Sequence, residues 1–168
     1  MRMLACTIML GCAGCAPALI SLGAAVPLTD TLPRDVPLEV ITRSALSRPL
    51  VVEPTRTRVA DVEVSLGHAI ASAAVPWADA HRGQRPDGWQ LIVELAKAHA
   101  GSSDGVVDVA LNVRATLRTR AGHVYLAQTQ AHCHERAALA IADSAPLFYH
   151  CMLSVGHELG GWLGGVQP

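Results

Sequence analysis

The side chains with the most chemistry to offer lie in one stretch, Val106 to Trp162. Cys133 stands between His132 and His134, and Cys151 follows His150. Thiolates and imidazoles ligate zinc, and two thiols can instead oxidise to a bridge. The zinc reading meets a geometric obstacle. Residues 132–134 fall in a strand pattern, where neighbours point to opposite faces. His132 and His134 therefore cannot both serve with Cys133, and the spacing fits no zinc-finger pattern. A zinc helix of the HExxH kind needs a second histidine four places after the first, and Gly161 stands in that place after His157-Glu158. Asp104 and Asp108 near His99 form no identifiable dyad, and no G-x-S-x-G turn or phosphate loop occurs. No catalytic, cofactor-binding or metal residue is assigned, and the chain reads as a non-enzyme. Cys133 and Cys151 keep two readings, a structural disulfide or two free thiols filling a core.

These residues need elements to hold them. Val107, Val109, Leu111, Val113, Ala115 and Leu117 alternate with Asp108, Asn112, Arg114, Thr116 and Arg118. Period two over this length means a strand with one dry face and one wet face. Arg120-Ala121-Gly122 turns the chain, and His123–Cys133 returns antiparallel. Glu135–Ala142 reads as a loop or a short helical turn. A helix then starts at Asp143 or Ser144 with Pro146 in its first turn, and Gly164–Gly165 stops it. Phe148, Cys151, Met152, Val155, Leu159 and Trp162 recur at helical spacing. Upstream, Trp89–His99 reads as a strand with Trp89, Leu91, Val93 and Leu95 on one face, and GSSDG at 101–105 as a turn. Val59–His81 reads as a helix capped by Thr57 and interrupted by Pro76. Leu38–Thr42 and Leu50–Glu53, punctuated by prolines, read as edge or first strands. Trp89 and Trp162 sit at element ends, as core edges or as a ligand box. Ala69, Ala73, Gly156 and Gly160 give the helix stripes small residues, which suit either close helix packing or a groove.

The 168 residues suggest one domain. A formal net charge of -1 argues against a nucleic-acid binder, which needs a basic face. The N-terminus reads as an export signal. A single Arg2 precedes the apolar run MLACTIMLGCAG, which is shorter than the about 20 residues that cross a bilayer. Small residues flank cysteines in LGCAGC. Here the chain resembles bacterial lipoproteins, whose signal ends in a lipobox before the cysteine that receives the lipid. Cys15 follows Ala13 and Gly14, with Cys12 where leucine is commoner. Cys12, after Leu10 and Gly11, is the alternative acceptor and leaves a very short signal. Ala16, rather than aspartate, follows Cys15, so the resemblance implies the outer membrane. Of the five cysteines, cleavage before Cys15 removes Cys6 and Cys12, acylation uses Cys15, and Cys133 and Cys151 remain as a pair. An exported chain can keep them bridged. Residues 16–37 carry prolines at 17, 27, 33 and 37 and read as a tether with a mean reach of roughly 25 Å, with packing of Ser21–Val26 on the domain as the alternative.

The expected organisation is a signal peptide at 1–14, the lipidated cysteine and tether at 15–37, and a single domain at 38–165. The expected fold is α+β, a small antiparallel sheet of about four or five strands with two amphipathic helices on one face. That layout resembles small periplasmic lipoprotein domains, among them the auxiliary lipoprotein of ABC-type transport systems. The resemblance implies a non-enzymatic outer-membrane lipoprotein facing the periplasm, bound to the membrane through its lipid. A protein partner in envelope assembly or lipid transport is implied with it, and no cofactor and no nucleic acid. A secreted ligand-carrier or inhibitor is the alternative reading, and a metal-dependent hydrolase a more remote one.

Overall fold

A long central strand organises the protein. The computed structural model describes residues 18–22, 38–84, 87–121 and 124–167. Strand β5, Trp89–Ser103, pairs antiparallel with β6, Val106–Thr119, and β6 pairs antiparallel with β7, Tyr125–Ala138. On its other side β5 pairs in parallel with β2, Leu38–Ser44, giving a four-stranded sheet in the order β2-β5-β6-β7. A parallel pair needs a long crossover, and the segment containing helix α1, Val62–Ala80, supplies it. A second sheet joins β1, Leu19–Ser21, in parallel to β4, Thr57–Ala60, and β4 antiparallel to β3, Val51–Val52. Beyond the reach of β2, the far end of β5 is bridged by Glu53, whose N–H donates to the Ala100 carbonyl at 3.0 Å. Helix α2, Ala145–Gly164, follows a single 3-10 turn at Ile141–Asp143.

The fold class is the α+β class expected, and both helices pack on one face of the larger sheet. Val107, Val109, Leu111, Val113, Ala115 and Leu117 are all buried beneath them, as the alternation requires. On α2, Phe148, Cys151, Met152, Val155 and Leu159 are fully buried, while Trp162 is only partly so. Trp89 is buried and meets Trp77 edge-on at 5.8 Å, so it belongs to the core.

Several details differ from the sequence reading, among them the second sheet and β5, which runs to Ser103 through the segment read as a turn at 101–105. The larger sheet is mixed, because β2 runs parallel to β5. Helix α1 begins three residues later than Val59. Residues 57–60 form β4, and Asp61, with φ of 61°, turns the chain from strand to helix. Val59, Val62 and Leu66 sit at helical spacing, which hid the break. Strand β7 runs on to Ala138, pairing Glu135–Ala138 with Val106–Val109. Finally, Leu19–Ser21, inside the segment read as a tether, are paired to β4, with Ile20 and Leu22 buried in the core. Residues 23–37 and the candidate acyl acceptors Cys12 and Cys15 lie outside the described residues. Among the described residues no helix is long and apolar enough to cross a membrane.

The two helices approach closely along their small residues. A Cβ on Gly156 would lie 2.9 Å from the Ala69 carbonyl oxygen, and one on Gly160 would lie 2.9 Å from that of Ala73. Backbone cannot yield as a flexible side chain can, so these glycines are required by the crossing. Gly156→Ala is expected to destabilise the fold by about 1–3 kcal/mol, the usual cost of overpacking. Urea denaturation of the wild type and the variant checks this, with Gly161→Ala as control, since nothing lies within 4 Å of a Cβ there.

Candidate functional site

Alternation along β7 separates the residues that the sequence places side by side. Cys133 lies opposite Leu111 on the dry face, while His132 and His134 lie opposite Asn112 and Ala110 on the open face. Cys133 is 6% exposed and both histidines are exposed. Cys133 meets Cys151 of α2 in a disulfide with the Cα atoms 5.5 Å apart. That separation is ordinary for a bridge. His150 precedes Cys151 but is exposed on the helix, so it does not converge with His132 or His134. His157 is exposed as well, and Glu158 has a structural task. Its carboxylate accepts a hydrogen bond from the His132 backbone N–H at 3.2 Å. β7 is an edge strand, and Glu158 caps one of its free donors.

The open face of the four-stranded sheet carries the polar chemistry. Near its β2 end, buried Gln90 donates to Glu39 at 2.9 Å and accepts from Arg118 Nε at 2.8 Å, and Arg120 pairs with Glu39 at 3.2 Å. This links β2, β5 and the end of β6. In the middle, Arg114 pairs with Glu94 at 3.6 Å. Toward the other end, His99 of β5, Asp108 of β6 and His134 of β7 come together. Asp108 lies 3.9 Å from His99 Nε2 and 3.4 Å from His134 Nε2. Their rows are set by the register, in which Gly101 faces Asp108 and Ala110 stands between His99 and His134. Gly101 makes the approach possible, because a Cβ there would lie 2.8 Å from the Asp108 carboxylate and 3.3 Å from His99 Nε2. An open depression of about 770 Å³ covers this area, with Leu46 and Ser47 of the β2–β3 loop on its rim.

The sequence reading set Asp108 and His99 aside as no identifiable dyad, whereas the structure brings them together with His134. The trio's chemistry is that of a carboxylate between two largely exposed imidazoles, which form ion pairs with it only when protonated, while a neutral His134 can still donate an Nε2–H hydrogen bond to it. Among the described residues Ser47 lies on the rim of the same depression and makes no hydrogen bond to the trio, and Cys133 points the other way. Among the described residues no group of three His, Cys, Asp or Glu is arranged to hold a metal ion. A solvent-exposed arrangement of this kind adds little stability. Asp108→Asn is therefore expected to change the unfolding free energy by no more than about 1 kcal/mol in a denaturation experiment. A second depression, of about 620 Å³, lies between the helices over Trp77, Leu153, Gly161 and Gly164. Gly156 is taken up by helix packing, while Gly160 both packs against Ala73 and lines this cleft.

Comparison with known proteins gives a likeness of fold. No protein-family model matches the chain, and no curated protein matches it. Among solved structures, protein XCC0632 from Xanthomonas campestris, of the family model DUF330, aligns with a TM-score of 0.53 at 17% identity. The alignment covers 74% of this chain and 81% of that one. At this identity it shows a shared fold and no more. A candidate lipoprotein from Caulobacter crescentus CB15 aligns at TM-score 0.41 and 14% identity, over 77% of this chain and 93% of that one. The hypothetical protein CT253 from Chlamydia trachomatis aligns at TM-score 0.41 and 10% identity, over 88% and 98% of the two chains.

Proposed function

We propose that this chain is an exported lipoprotein, anchored through Cys15 in the outer membrane and facing the periplasm. It works there as a non-enzymatic docking module in envelope assembly or lipid transport. One observation carries the reading. Of five cysteines, the two left over in a mature chain beginning at Cys15 are the two that meet between β7 and α2. A bridge of this kind persists in an oxidising compartment, and the LGCAGC run supplies the route to one. The surface suits docking better than catalysis. The open sheet face is a ladder of paired charges. Edge strand β2 offers backbone groups to an added strand.

The test is to grow cells expressing the full chain with labelled palmitate and to separate their membranes by density. The labelled protein is expected in the outer-membrane fraction. An unlabelled, soluble periplasmic protein would sink this proposal and favour a secreted ligand-carrier.

A further inference from the structure

We propose that, once anchored, the protein lies with the outward face of its three-stranded sheet against the lipid surface. The inference rests on the reading of Cys15 as the acyl acceptor. It starts from chain length. Leu19 opens β1 only four positions after Cys15. Consecutive Cα atoms are about 3.8 Å apart, so Leu19 cannot lie more than about 15 Å from the acylated residue. A domain of this size is about 35 Å across. The strand nearest the anchor therefore cannot be held clear of the headgroups, as a tether running to residue 37 would have allowed.

The chemistry of that sheet fits a lipid surface. Leu19 and Val51 both register with Arg58, placing the three in one row across β1, β4 and β3. Their neighbours Ile20, Val59, Val52 and Thr57 are buried, so the row points outward. Leu19 is 61% exposed, the most exposed of the large apolar side chains among the described residues. Arg58 is exposed and has no side-chain hydrogen bond or ion pair among the described residues. No carboxylate stands in the row itself; Asp61 and Glu63 share a depression with Arg58 at its edge. An unpaired guanidinium beside an exposed leucine suits an interface, where the apolar part enters the acyl boundary and the cation meets phosphate. The His99–Asp108–His134 area belongs to the other sheet, although His99 and Val51 line one shared depression where the two sheets meet.

The experiment uses the acylated full chain reconstituted in phosphatidylethanolamine–phosphatidylglycerol vesicles. Cys15 is blocked by lipid, and Cys133 and Cys151 are bridged, so one added cysteine can be labelled with an environment-sensitive fluorophore. Leu19→Cys and Val51→Cys report on the proposed face, and Asn112→Cys reports on the open face of the larger sheet. Labels at 19 and 51 are expected to shift to the blue and to be quenched roughly twofold or more by spin-labelled lipid, with 112 unaffected. If the protein floats with the vesicles but all three labels stay equally wet, the orientation is wrong. Label-to-label quenching at 19 that grows with protein density would assign the face to a second copy instead, which also overturns it. Failure of the protein to float at all would reject the anchor itself, a separate result.

Discussion

Replacing Cys133 and Cys151 together by alanine is expected to lower the unfolding free energy by about 3 kcal/mol. The two positions are 18 apart in sequence. In the chain-entropy account, releasing a loop of that size widens the unfolded ensemble by this amount. The packing cost acts in the same direction. Cys151 is fully buried and Cys133 nearly so, and losing the sulfur atoms leaves a gap between β7 and α2. The bridge is also the covalent link between the hairpin edge and the helix that covers it. Glu158 on His132 is a weaker, non-covalent link at the same place. Denaturation with and without reductant separates the contributions. Reductant should shift the wild-type midpoint and leave the double variant unchanged. If reductant shifts neither, the two thiols act as ordinary core residues.

Cys15→Ala is expected to release the protein from the membrane almost completely. Each acyl methylene buried is worth about 0.8 kcal/mol, and stable anchoring takes more than one chain or a second signal. The Leu19–Arg58–Val51 face alone is too small a second signal to hold the protein without the lipid. Cys12→Ala should change little, since Cys15 keeps Ala13 and Gly14 before it. Fractionation of cells expressing each variant is the check. Retention of Cys15→Ala together with release of Cys12→Ala would move the acceptor to Cys12. That outcome would leave Cys15 as an extra thiol.

Strong local periodicity made the C-terminal half readable. The apolar alternation of β6 and most of the inward stripe of α2 were visible, though Leu147 and Leu163 were missed and Trp162 is only partly buried, and the same stripes brought Cys133 and Cys151 toward one another. What escaped was non-local. Leu19-Ile20-Ser21 is too short for any period, and its parallel pairing with β4 depends on residues about 40 positions away. Asp61 turns strand into helix within a run whose apolar spacing already looked helical. The trio on the open face was hidden by one bulge. Leu91, Val93 and Leu95 face inward, so parity alone puts His99 inward too. The register slips between Leu95 and Lys97, and Ala100 takes the inward place while His99 turns out. A count from the turn near Gly105 would have set Asp108 opposite Gly101 and Ala110 opposite His99, as the register has them. It could not have located the bulge.

The account as a whole turns on the processed N-terminus, so the most direct measurement is the intact mass of the mature protein extracted from membranes. It should equal a chain beginning at Cys15, plus lipid on that residue, minus two hydrogens for the Cys133–Cys151 bridge. A chain that still contains residues 1–14, or one that begins elsewhere and carries no lipid, would contradict it.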